Sequence, residues 1–196
     1  MTALHELKLD FTLVPTELST GAHKTPEFLA RQPFGQIPVL VDVDGTQIFE
    51  SRAIIRYLAN KYNANNPSLY PIKDPKAFGL VEVWCSVEAS NYDPSISGLC
   101  VEEYFKPTFY NAVGDADLIQ KHRAKAGPIL DVYEKHLAVH KYLAGDHYTL
   151  ADLFHIPYGF YTFISTKNGD LLESRPHLKA WFHSLLDRES WKKATA

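Results

Sequence analysis

Cysteine is nearly missing: Cys85 and Cys100 are the only two in 196 residues, too few for the disulfide framework of a small secreted fold. Both lie in one stretch of helical pattern, which fits reduced thiols in a cytoplasmic protein, or simply two small buried apolar side chains. No apolar run approaches the roughly 20 residues that cross a bilayer. The N-terminus has neither the basic lead nor the apolar core of a secretory signal. Basic residues form no run, and a net charge of −3 with a pI near 6.3 offers no footprint for nucleic acid or an anionic membrane. Internal repeats and low-complexity segments are absent too. Among the nine histidines, His136 and His140 stand four apart but have no third ligand near them, so no metal site is expected.

What is present is ample apolar material, 45% of residues against 22% charged, enough for a proper core in one large or two small domains. The pattern divides near the middle. Leu4, Leu7 and Phe11 share a face, as at the end of a helix; residues 11–15 read as a strand, and a short helix begins at Pro26. Residues 63–75, with Pro67, Pro71 and Pro75, read as a linker. Beyond it the pattern is helical throughout. Residues 76–105 form a long helix, with Trp84 and Val87 inward, that Pro94 should kink or split, and breaks are expected at Pro107 and near Gly114. Another helix covers residues 115–137, with Ile119, Ala126, Leu130, Tyr133 and Leu137 in step. Residues 140–147 read as a loop. Thr149 and Asp152 then have the form of a capping box, and the helix they open, through Phe154, Ile156, Phe160 and Ile164, is apolar nearly all round and belongs in the middle of its domain. A last helix is expected over residues 176–186, with Trp181 and Leu185 inward.

The chemistry concentrates around residues 34–54. A short apolar run led by Ile37-Pro38, the turn formers Asp42-Val43-Asp44-Gly45 and a second short run make a β-hairpin. The period then switches, with Ile54, Ile55, Leu58, Ala59 and Tyr62 on one face of a helix starting near Ser51. Glu50 and Ser51 therefore stand beside unpaired N–H groups at the positive end of a helix, a place suited to an anion. Pro38 is either a plain strand start or a cis bend that turns the Ile37 backbone outward to pair with an extended peptide. Read singly, Glu50 and Ser51 also serve as a helix cap, His23 and Lys24 as a solvated loop, and Gln36 as a turn residue.

The run His23-Lys24-Thr25-Pro26, residues 31–38, residues 49–54, the cap at Thr149 and Asp152, and Arg175-Pro176-His177-Leu178 together resemble the soluble glutathione transferases, most closely the phi class. The likeness covers nearly the whole chain. It implies an α/β plus all-α fold: an incomplete thioredoxin-like, glutathione-binding domain over residues 1–62, a linker over 63–75 and an all-helical domain over 76–196. It also implies conjugation of the glutathione thiolate to a hydrophobic electrophile, in detoxification or secondary metabolism, with glutathione as co-substrate and no other cofactor. A cytoplasmic homodimer is expected. Carried onto this sequence, Ile37 before a cis Pro38 pairs with the cysteinyl backbone and Glu50 accepts the glutamyl ammonium. Ser51 binds the glutamyl carboxylate, Gln36 adds a side-chain contact, and His23 and Lys24 meet the glycyl carboxylate. Tyr104, Phe105, Phe109 and Tyr110 are candidates for the apolar wall of the second pocket, or plain core.

The family's first strand, and the serine just after it that hydrogen-bonds the glutathione sulfur to favour the thiolate, have no counterpart here, because Met1 to Asp10 match the later part of the family's first helix. No catalytic residue is assigned; Ser19 and Thr20 lie in a different loop. An ordinary four-stranded sheet is therefore not expected. The 11–15 strand would move to pair with Val39, another subunit would donate a strand, or upstream residues would supply one. The competing function is a glutathione- or hydrophobe-binding or assembly module of the same fold. A cysteine peroxidase or thiol-exchange enzyme is a third class, disfavoured because both cysteines lie in the helical half.

Overall fold

A computed structural model describes residues 1–196. Its one sheet is the hairpin, with strand β1 (Val39–Val41) antiparallel to β2 (Gln47–Phe49) and Val39, Leu40 and Val41 opposite Phe49, Ile48 and Gln47. The turn closes through Asp42 N donating to Thr46 O at 2.9 Å and Gly45 N to Asp42 O at 2.9 Å. Gly45 takes a φ of 84°, which a side chain would resist. Helix α3 (Ser51–Lys61) packs behind, burying Ile54, Leu58 and Ala59. It also grips the turn: Asp42 accepts from Tyr57 Oη at 2.8 Å, Tyr62 Oη at 3.0 Å and Lys61 Nζ at 2.7 Å. Those bonds, Lys61 first, hold the Asp42 carboxyl far below the usual range.

Helix α1 (Thr2–Glu6) buries Ala3, with Leu7 buried just after it; α2 (Pro26–Leu29) is capped by the Thr25 hydroxyl, which accepts from Phe28 N at 3.3 Å. Residues 11–15 are not a strand. Their composition favours a pleated surface, but no strand lies alongside them, and none of their main-chain groups makes a hydrogen bond within the chain. No four-stranded sheet forms, and residues 11–15 do not cross over to β1.

The second half is helical. Helix α4 (Pro75–Val87) has Pro at its first position and the Asp74 carboxylate accepting from Lys76 N and Ala77 N at 3.0 and 3.1 Å. It runs through a π turn (Glu88–Tyr92) into α5 (Asp93–Cys100), a second π turn (Val101–Phe105) and α6 (Lys106–Phe109). Pro94 and Pro107 each follow one of these wider turns. A π turn loosens the register where a proline has no N–H to give and its ring would strike the preceding turn. The break expected at Pro107 is thus displaced past Phe109. Helix α7 (Ala116–Leu137) opens on an Asp115 cap. The π turns leave α4 to α6 a continuous rod against which it packs.

Helix α8 (Leu150–Gly159) occupies the centre, with every residue from Leu150 to Ile156 buried. At its N-terminus Asp152, fully buried, accepts from Thr149 N (2.9 Å), Leu143 N (3.1 Å) and Trp181 Nε1 (2.9 Å). Burial pushes the Asp152 carboxyl up, and these donors pull it back. Helices α9 (Asp170–Glu173) and α10 (Pro176–Leu186) follow, the latter capped from α7 by Glu134, whose Oε2 accepts from Leu178 N at 2.8 Å. The chain does not end helically at Leu186: α11 (Glu189–Thr195) folds back on α1, where Arg188 Nε and Nη2 donate to Glu6 at 2.6 and 2.8 Å. Its short pattern, with only Ser190 and Trp191 buried, gives little periodicity to read.

One buried histidine makes the core sensitive to acid. His155 is fully buried; Nδ1 lies 2.6 Å from Ala151 O and Nε2 lies 2.9 Å from Tyr133 Oη. The carbonyl fixes the proton on Nδ1, so Nε2 accepts from the tyrosine. Burial lowers the imidazole to about 3. The unfolded chain binds this proton from about pH 6.5 downward and the native state does not, so its contribution is complete above about 6.5 and is lost as pH falls toward 3, at about 1.4 kcal/mol per unit. Urea titrations from pH 7 to 4 are expected to show this decline, and His155→Phe to flatten it; a variant with an unchanged slope would place the sensitivity elsewhere.

Candidate functional site

The expected anion site is built at the junction of β2 and α3. Ser51 is the first residue of α3, no side chain caps the helix, and its first main-chain bond runs from Ile54 N to Glu50 O at 2.9 Å. The N–H groups of Ser51, Arg52 and Ala53 therefore remain available at the positive end of the helix. Glu50 sits just before them with φ 68° and ψ 110°, a backbone state that a non-glycine residue holds only under constraint. Its carboxylate is exposed and makes no hydrogen bond or ion pair within the protein. The corner thus offers one free anion beside a set of free donors.

Across from it, the Ile37-Pro38 peptide is cis. Neither the N–H nor the C=O of Ile37 bonds within the chain, and both Ile37 and Gln36 are exposed. The loop before them is ordered by Gln32, a buried residue whose Oε1 accepts from Phe34 N at 2.7 Å. Sequence reading passed over Gln32, because nothing in its neighbours marks a buried amide. Lys24, in the 3-10 turn Ala22–Lys24, donates to Phe34 O at 3.1 Å and Gly35 O at 2.9 Å. It therefore clamps the loop with part of its donor capacity while its surface stays exposed. Gly35, at φ 59°, could not be larger: a Cβ would stand 2.7 Å from Lys24 Nζ and 2.8 Å from His23 O. His23 Nδ1 is buried without a partner.

The joint to the helical half is one residue from Ser51. Arg52 donates through Nε and Nη2 to Glu88 at 2.8 and 2.6 Å, and through Nη2 to Asp93 at 2.9 Å. Glu88 is completely buried in the first π turn. Burial pushes its carboxyl up and Arg52 opposes that, while the bonds to Glu88 raise the guanidinium further. A second link joins Arg56 to Glu82 at 3.2 Å, with the guanidinium 5.1 Å from the Phe154 ring.

Of the expected second pocket, Tyr104, Phe105 and Phe109 form one aromatic cluster, with ring centroids 5.8 to 6.2 Å apart. Tyr161 stacks on Tyr104 at 4.5 Å and Tyr158 approaches Phe105 at 6.4 Å. These two, three residues apart at the end of α8 and in the turn after it, were missed from the sequence because their partners lie some fifty residues away. Tyr110 makes no such ring contact and is 73% exposed. Cys85 and Cys100 are buried, unpaired and pushed by burial to about 12, the behaviour of inert packing residues. A polar cleft of about 670 Å³ between α1 and α11, lined by His5, Lys8, Arg188 and Lys193 among others, shares no residue with this site.

A β-hairpin entered through a cis proline, a helix N-terminus beside a free carboxylate, and a helical half built on a capped central helix define the two-part architecture of the glutathione transferases. Residues 1–60 match the family model for the glutathione S-transferase N-terminal domain, and residues 94–189 the one for its C-terminal domain. Glutathione S-transferase 3 of Zea mays is 44% identical over 195 residues, covering 100% of this chain and 86% of that protein. A glutathione transferase of Populus trichocarpa superposes with a TM-score of 0.94 at 41% identity, over 99% of this chain and 90% of that one. Glutathione S-transferase I from maize, solved with an atrazine glutathione conjugate, gives 0.88 at 38%, over 98% and 87%. The chain belongs to the glutathione S-transferase family and is phi-like within it. Its fold is a thioredoxin-like N-terminal part carrying a small antiparallel sheet, followed by the helical transferase domain.

Proposed function

We propose that this protein conjugates glutathione to electrophilic small molecules, with the tripeptide held at the β2–α3 corner and the electrophile against the aromatic cluster. The observation that carries the reading is the pairing at one corner of a free carboxylate, Glu50, with the uncapped N-terminus of α3 at Ser51. Glutathione presents an ammonium and a carboxylate on one carbon, and this corner presents their complements. Ile37 supplies the unpaired N–H and C=O for the cysteinyl backbone, with Gln36 beside it, and Lys24 and His23 stand toward the glycyl end. Tyr104, Phe105 and Phe109 would form the apolar wall, joined by Tyr158 and Tyr161. The maize relative solved with an atrazine glutathione conjugate supports a conjugate as product and an apolar, aromatic second substrate. By the same likeness the protein is read as a cytoplasmic homodimer; no helix is long and apolar enough to cross a membrane. Residues 1–62 are read as the glutathione-binding domain and 76–196 as the helical one, with 63–75 between them.

A second reading rests on the site as described, whose residues meet the ends and backbone of the tripeptide and include none assigned to activate its thiol. In that reading the chain binds glutathione or a hydrophobe without turning it over. The two separate in one pair of measurements, conjugation of glutathione to a generic aromatic electrophile and glutathione binding by calorimetry. A rate at least tenfold above the uncatalysed reaction is expected, with backbone donors favouring the thiolate. Binding without acceleration would establish the second reading, and absence of both would remove the site.

A further inference from the structure

Three segments of the helical half meet over one buried amide. Asn168, in the 3-10 turn Lys167–Gly169, has no exposure. Its Nδ2 donates to Glu103 Oε2 and, at 2.8 Å, to Thr166 Oγ1, and its Oδ1 accepts from Arg123 Nη1 of α7. A carboxylate only accepts and a guanidinium only donates, so these neighbours fix which way the amide lies. The Thr166 hydroxyl passes the connection on by donating to Thr162 O at 2.5 Å. Glu103 belongs to the π turn Val101–Phe105, and Thr162 to a further π turn, Phe160–Ile164. Glu103 immediately precedes Tyr104, and Thr162 immediately follows Tyr161; these are the two rings that stack at 4.5 Å in the aromatic cluster.

We propose that Asn168 is a positioning residue for the electrophile, holding the two π turns in the register that stacks Tyr104 on Tyr161 as one wall of the second pocket. That role rests on reading the aromatic cluster as the pocket for the second substrate. Asn168 touches neither ring and acts through the backbone of the two turns. A π turn departs from the regular i→i−4 ladder, so the placement of its side chains is less dictated by the helix than it is elsewhere. A fully satisfied buried polar network supplies the missing definition, because it has one low-energy arrangement where apolar packing would tolerate several. Asparagine suits the position by having a donor end and an acceptor end. Glu103 makes no other hydrogen bond within the protein, so its turn depends on this amide for a side-chain tie.

The test is calorimetry on the full-length protein with glutathione and with its dinitrophenyl conjugate, the ratio of the two affinities reporting the second pocket. Asn168→Asp keeps an acceptor for Arg123 but sets a carboxylate against Glu103. It is expected to lower the ratio about tenfold while the affinity for glutathione itself holds. Adding Glu103→Gln places a donor opposite the new carboxylate and should return the ratio to within about twofold of wild type, the non-additivity of two groups in contact. Thr166→Val, similar in shape, cuts the tie to the other π turn. It should lower the ratio in the same way, and it carries the test if Asn168→Asp folds poorly. An unchanged ratio in either folded variant, or a parallel fall in both affinities, would make the network ordinary packing and overturn the role. A wild type that binds glutathione but not its conjugate more tightly would instead remove the aromatic pocket itself, and the role with it.

Discussion

Replacing Arg52 by methionine is expected to destabilise the protein by about 3–5 kcal/mol, because removing one partner of a buried pair strands the other. Arg52 makes three hydrogen bonds from α3 to the rod of α4 and α5, two of them to Glu88, which has no exposure at all. Glu88 is already pushed up by burial against the pull of Arg52, and loss of the guanidinium leaves burial alone acting on it. A carboxyl whose native pKa exceeds its unfolded one binds protons more tightly when folded. Stability of the variant therefore declines as pH rises from the unfolded carboxylate value through the native one. The deficit relative to wild type should accordingly be larger at pH 8 than at pH 5. The double variant Arg52→Met with Glu88→Leu removes the stranded charge and should recover much of the loss. Urea unfolding of the three proteins at both pH values decides it, and a single variant within 1 kcal/mol of wild type would mean that Glu88 finds another partner or water. Since Ser51 precedes Arg52, the single variant should also loosen the corner proposed to hold glutathione.

What could be read in the sequence follows from how local each feature is. The hairpin and α3 were legible because the apolar period changes at Ser51, and the turn residues at 42–45 leave little choice of register. The capping pair Thr149 and Asp152 was legible for the same reason, being a four-residue motif. Residues 11–15 misled because a strand is not a local object; Phe, Thr, Leu and Val mark a surface that suits pleating, but only a neighbour makes it one. The prolines misled in the opposite sense. Pro107 reads as a stop, yet a π turn just before it lets the helix carry on to Phe109. Helix α11 was invisible because it is specified by the distant pair Glu6 and Arg188 rather than by its own period. At the site, the kinds of residue were readable and their commitments were not. Lys24 reads as a free cation, and only the folded loop shows two carbonyls claiming it.

Glu50→Gln is expected to weaken glutathione binding by about 10- to 100-fold, the loss of roughly 1.5–3 kcal/mol that attends a hydrogen bond to a charged group, and to lower the conjugation rate at subsaturating glutathione by the same factor. Folding should be unaffected, because the side chain is exposed and touches no partner within the protein. The backbone gives a control that separates strain from recognition. At φ 68° a glutamate bears a conformational cost of about 1–3 kcal/mol, which a glycine largely avoids. Glu50→Gly should therefore hold or raise the melting temperature while binding glutathione no better than Glu50→Gln. A constrained backbone kept at an exposed position, where the side chain contributes nothing to the fold, is the signature of a residue retained for a ligand. The assignment to the ammonium can be tested with a glutathione analogue that lacks the amino group. It should bind the wild type weakly and lose little more on Glu50→Gln, the non-additivity expected of two groups in direct contact. Equal losses for both ligands would detach Glu50 from the ammonium, and wild-type affinity in Glu50→Gln would leave the uncapped N-terminus of α3, through Ser51 and its neighbours, to hold the tripeptide alone.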